Sequence, residues 1–161
     1  MRIETPLLVL GRGPAAVVAA KVAGACGQPC LLVGHEIVSS DSPVELDENA
    51  VAVLARHGLV DVLRPHLLVS QPPTIAPSEF ERVLKQHCVA DLNVSVYDQM
   101  EVVERAATGR TLCGVLTDGA SRWDLAADTW IDADALSVSS LPAAIVDGAA
   151  AAGDAIAVLR R

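Results

Sequence analysis

The sequence predicts an α/β fold, a parallel sheet with helices packed on it and an antiparallel meander let into its second half. Three observations carry that expectation. Two short apolar runs, Leu7-Leu8-Val9-Leu10 and Cys30-Leu31-Leu32-Val33, each stop at a glycine, as buried strands do. Between them, residues 15–25 are almost all Ala and Val, suited to a helix lying close on a sheet. Later, three strand-like runs follow at short intervals, separated by Thr108-Gly109-Arg110 and Asp118-Gly119, both hairpin turn signals.

The first unit turns through Gly11-Arg12-Gly13-Pro14-Ala15-Ala16, a G-x-G-x-x-A pattern between strand and helix. Each position has a task if a pyrophosphate rests there. Gly11 permits the tight turn, Gly13 lets the backbone approach the phosphates, and Ala16 keeps the helix near the strand. The helix N-terminus adds free N–H groups and partial positive charge. The second run ends at Gly34-His35-Glu36. Glu36 stands twenty residues beyond Ala16, about where an acid accepting hydrogen bonds from a ribose diol is expected. Arg12 is a candidate screen for the phosphates, and His35 a candidate border of an adenosine pocket. The plainer reading is an ordinary βαβ turn whose glycines serve packing, with a solvated Glu36.

The rest of the chain alternates in the same style. Val38 to Pro43 is a polar turn, and Asp47-Glu48-Asn49 then opens a helix with Val51, Leu54, Ala55 and Leu59 at helical spacing. His57-Gly58 breaks it. Val60-Asp61-Val62-Leu63 is a separate piece closed by Arg64-Pro65, and Gln71-Pro72-Pro73 is a stiff turn. Pro77-Ser78-Glu79 opens the next helix, with Phe80, Val83 and Leu84 on one face and Glu81, Arg82 and Lys85 on the other. Residues 92–97 alternate apolar and polar and read as a strand; residues 100–106, 111–117 and 123–131 form the meander. In the tail, residues 149–159 form an alanine-rich helix despite Gly153, with Arg160 and Arg161 at the negative end of its dipole.

Bulk properties narrow the function. A chain of 161 residues is read as one domain, residues 1–161, with 52 % hydrophobic and 20 % charged residues marking it as globular. A formal net charge of -8 argues against nucleic acid or an anionic membrane as the partner, and 2 % aromatic residues leave few platforms for stacking bases. Apolar runs near the N-terminus are too short for a membrane span, and Met1-Arg2-Ile3-Glu4 does not open a signal peptide. Four cysteines without a regular framework suit the reducing cytoplasm. Cys26 and Cys30 are one residue too far apart for a C-x-x-C pair and read as packed structural cysteines. The four histidines fit no zinc spacing, and Asp128, Asp132 and Asp134 lack the glycine and glutamate of a calcium loop, so no metal is expected.

In this order, the elements resemble the FAD-binding domain of the glutathione-reductase-like flavoproteins. Residues 11–16 are similar to their G-x-G-P-A-G turn, and Leu32-Val33-Gly34-His35-Glu36 resembles the strand end of thioredoxin reductases. The middle resembles another branch, the aromatic-hydroxylase type of FAD-dependent monooxygenases and their halogenase relatives. Residues 46–63 look like the family helix that ends in a Gly-Leu turn, and residues 78–84 like the helix that follows. Residues 127–135 resemble the strand entering the A-D-G motif, and residues 148–159 the final helix beneath the flavin.

That resemblance implies a Rossmann-like, FAD/NAD(P)-binding three-layer fold with an antiparallel β-meander insertion. It implies FAD as cofactor, held by Gly11, Gly13, Pro14, Ala15, Ala16, Glu36 and Asp134, in an oxidoreductase-like domain. NAD is the alternative cofactor, and Glu36 disfavours a 2′-phosphate. The sequence also departs from the family. Ala135 replaces the glycine of A-D-G, and Pro77 an arginine or glutamine that touches the cofactor. The glycine-aspartate motif that binds the ribityl chain has no clear counterpart between Ala135 and Pro142, and the substrate-domain segment is missing. Two expectations follow. Either a homodimer or a partner protein covers an open sheet face and completes the site, or the chain is a degenerate, non-catalytic binding or scaffolding subunit. Spacing points to no catalytic residue.

Overall fold

A mixed sheet of six strands organises the chain in the computed structural model, which describes residues 2–34, 36–37, 39–136 and 140–161. Strand β1 (Arg2–Leu10) lies inside it, with β2 (Cys30–Val33) and then β5 (Val94–Tyr97) added in parallel on one side. On the other side β8 (Arg122–Asp132) runs parallel to β1, followed by β7 (Thr111–Thr117) and β6 (Glu101–Thr108), each antiparallel to its neighbour. The order is β5-β2-β1-β8-β7-β6. The meander joins the sheet through its last strand, since β8 pairs with both β7 and β1. Pairing with β8 from Arg2 opposite Asp124 to Leu10 opposite Asp132 also explains why β1 begins five residues before its apolar run.

Alternation along the central strands separates two cores. Leu7, Val9 and Leu32 face the helices, whereas Leu8, Leu10, Leu31 and Val33 face the opposite side. There they share a second core with Leu112, Leu116, Leu125 and Ala127 of the meander, and all eight side chains are buried.

The helical layer contains α1 (Pro14–Ala25), α2 (Glu48–Arg56), α3 (Val60–Leu63), α4 (Pro77–Val89) and α5 (Leu141–Leu159). A small ribbon, β3 (Val44–Glu45) with β4 (Thr74–Ile75), flanks it. Helix α2 starts where its acids predict, with Asp47 Oδ1 accepting from the Ala50 N–H at 2.8 Å. Helix α5 starts eight residues earlier than the alanine run alone indicates. Ser140 caps it, accepting from the Ala143 N–H, and Pro142 in the first turn is compatible with a helix start. Small residues let α5 lie against α1: a Cβ on Gly148 would stand 2.5 Å from the Ala15 carbonyl oxygen. Among the described residues α5 alone is long and apolar enough to cross a membrane, yet its Leu141, Ala144, Ile145, Ala149 and Ala152 are buried in this packing.

Two side chains depart from their expected faces. Glu81 of α4 was expected on the polar side with Arg82 and Lys85 and is fully buried, with the Ser39 hydroxyl donating to it. The loop after β2 folds over the start of α4, where the Ser78 N–H donates to the Ser40 carbonyl, and so covers Glu81. Cys26, expected to be packed, is exposed at the end of α1, while Cys30 on β2 is buried.

Candidate functional site

Strands β1, β2 and β8 end on one side of the sheet, where Leu10, Val33 and Asp132 open onto a cleft of about 890 Å³. In open α/β sheets, ligands bind outside the carboxyl ends of the strands. Its walls come from the connections that leave those ends: Gly11 and Arg12 after β1, Gly34 and Glu36 after β2, Asp98 to Met100 after β5, Asp134 and Ala135 after β8. The meander supplies the remaining wall with Val102 and Arg105 of β6 and Thr117 to Gly119 between β7 and β8.

The glycine turn is tied into this edge. The Gly11 N–H donates to the Val33 carbonyl at 3.2 Å, joining the ends of β1 and β2. Asp134, in a 3-10 turn after β8, accepts from the Arg12 N–H through Oδ1 at 3.0 Å. Only a glycine at position 11 allows that approach, because a Cβ there would lie 2.9 Å from Asp134 Oδ1. Gly13 precedes α1 at φ 85° and ψ -175°, a conformation essentially restricted to glycine. A Cβ on Gly13 would meet no atom within 4 Å. Helix α1 has no side-chain cap and no acid in its first turn, so among the described residues its leading N–H groups lack the partner that Asp47 gives α2.

Gly11, Glu36 and Asp134 of the expected set thus share one cleft with Arg12, and Glu36 Oε2 stands 4.0 Å from Arg12 Nη1. Gly13 and Pro14 form the adjoining helix start. Ala15 and Ala16 follow in the first turn of α1, where Ala15 packs its backbone against Gly148 and Ala16 belongs to the core beneath the helices. His35 lies outside the described residues, as do residues 137–139 of the segment where a ribityl-binding motif was sought.

Asp98, Arg105, Asp118 and Asp132 were not foreseen. Asp98 follows β5 and Asp132 ends β8, so their position at parallel-strand ends was an available signal. Arg105 carried none, because a change of strand register aims it. Among the described residues the cleft bears six carboxylates, Glu36, Asp98, Glu101, Asp118, Asp132 and Asp134, against two guanidiniums, Arg12 and Arg105. No group of three or more His, Cys, Asp or Glu among the described residues could hold a metal ion. The buried thiols stand apart from this chemistry. Burial pushes both Cys30 and Cys88 up to about 12, and each thiol lies against a carbonyl of α1, Ala20 and Val17 respectively.

No protein-family model matches the chain, and no curated protein matches it. Solved structures do. The p-nitrophenol 4-monooxygenase PnpA from Pseudomonas putida aligns over 81 % of this chain and 40 % of its own, with TM-score 0.66 and 17 % identity. The flavin-dependent monooxygenase PieE, solved with FAD and substrate, aligns over 80 % and 30 %, with TM-score 0.66 and 17 % identity. OxyS, the anhydrotetracycline hydroxylase from Streptomyces rimosus, aligns over 81 % and 31 %, with TM-score 0.65 and 12 % identity. The chain spans less than half the length of each of these proteins. They support the aromatic-hydroxylase layout, not the glutathione-reductase or thioredoxin-reductase features of the first turn. At such identities the likeness is one of architecture: the chain has the Rossmann-like α/β fold found in flavin-dependent monooxygenases.

Proposed function

We propose that the chain is an FAD-binding, oxidoreductase-like domain that holds the ADP half of its cofactor along residues 11–16. The observation that carries this reading is the uncapped start of α1 at Gly13, beside a cleft lined by Gly11, Arg12 and Glu36. The fit is best for the diphosphate and its ribose. Room above Gly13, the free leading N–H groups of α1 and the helix dipole suit an anion, and Glu36 suits the ribose hydroxyls. FAD is preferred to NAD because of the fold's flavin-dependent neighbours. Bound flavin supplies the redox chemistry, and the chain binds and orients it. Four free thiols suit the cytoplasm.

A second reading is favoured by one observation. Six carboxylates against two guanidiniums make the cleft acidic, which opposes a diphosphate and suits a non-catalytic binding or scaffolding subunit. Pro77 agrees with it, since it opens α4 and is not among the residues lining the cleft. Titration of FAD against the wild type and Glu36→Ala, followed by quenching of flavin fluorescence, separates the two. FAD binding weakened several-fold by Glu36→Ala supports the first reading. Unchanged fluorescence with the wild type supports the second.

A further inference from the structure

Strand β6 breaks its alternation once, and the break aims a cation into the cleft. Val103 stands opposite Val115 and Ala106 opposite Cys113, so Glu104 and Arg105 together oppose the single Gly114. This is a β-bulge, with Glu104 at φ 53°, in the left-handed region that residues other than glycine rarely adopt. Gly114 makes room for it: a Cβ there would lie 3.1 Å from Val102 Cγ1 and 3.5 Å from Arg105 Cα. In an unbroken strand Val102 and Arg105, three positions apart, would face opposite sides. With the extra residue both line the cleft. Glu104 pairs instead with Arg122, and neither of those lines it.

Arg105 is half-exposed, and its Nη1 stands 3.7 Å from Asp132 Oδ2 at the end of β8. That is longer than a charge-assisted hydrogen bond of roughly 2.7–2.9 Å. The guanidinium is therefore held near Asp132 without being committed to it. Strained backbone persists where the surrounding structure imposes it, and bulges beside binding sites re-aim side chains.

Resting on the dinucleotide reading above, we propose that Arg105 is an anion-holding residue of the cleft. The bulge delivers its guanidinium, Asp132 holds it in reserve, and the diphosphate of the bound dinucleotide takes it over. The transfer places a positive charge opposite the phosphates in a cleft whose six carboxylates oppose them.

The test measures ADP, FAD and adenosine binding to the wild type, Arg105→Ala and Arg105→Gln, with melting temperature as the control for folding. Arg105→Ala should weaken ADP and FAD by about tenfold, as expected for loss of one charge-assisted contact. Adenosine, which lacks the diphosphate, should bind as before. Unchanged ADP and FAD affinities, or an equal loss for adenosine, overturn the assignment while the dinucleotide reading stands. A wild type that binds neither ADP nor FAD overturns both. If Arg105→Ala lowers the melting temperature, the longer neutral side chain of Arg105→Gln decides by the same criteria.

Discussion

Gly11 and Gly148 act through what they lack. The first lets Asp134 reach the Arg12 N–H, and the second brings the backbones of α1 and α5 together. The cysteines divide by burial in a way that solution chemistry can read. Cys30 and Cys88 are buried with thiols pushed up to about 12, whereas Cys26 and Cys113 are exposed. Thiolate is the reactive form, so the two buried groups should be inert at neutral pH. Titration with a thiol-specific chromogenic disulfide should therefore register two fast thiols in the native chain and four in denaturant. Four fast thiols in the native chain would contradict the buried placement.

Elements with a local signature were legible in the sequence, and those defined by distant partners were not. The apolar runs of β1 and β2, the small-residue face of α1 and the Asp47 cap of α2 each rest on neighbours a few residues away. The polar first half of β1 is a strand only because β8 pairs with it from more than a hundred residues away. Glu81 looked solvent-facing until the loop after β2 was placed over α4. The glycine turn with Glu36 and Asp134 was readable, but the β6 bulge that brings Arg105 to the same cleft had no period to announce it. The α1–α5 contact is equally non-local. Gly148→Val should clash with the Ala15 backbone and lower unfolding free energy by at least about 2 kcal/mol, measured by urea denaturation. An unchanged urea midpoint would mean that the helices do not approach this closely.

At the scale of the whole molecule, buried residues lie on both faces of the central strands, and the cleft opens at the sheet's carboxyl edge. We propose that a second copy or a partner protein covering the sheet completes the site. Light scattering with and without FAD tests the homodimer: a dimer in either condition supports it, and a monomer in both excludes it. The net charge of -8 is concentrated unfavourably for a dinucleotide, since the cleft itself is acidic. Affinity must then come from the start of α1, Glu36 and the two cleft arginines.

The most direct measurement is equilibrium titration of FAD against the purified chain and Gly13→Val, with folding of the variant checked by circular dichroism. Saturable quenching of flavin fluorescence by the wild type, weakened at least about tenfold in a folded Gly13→Val, is the expected result. Wild-type binding that Gly13→Val leaves unchanged, or no binding by the wild type, would contradict a cofactor site at the start of α1.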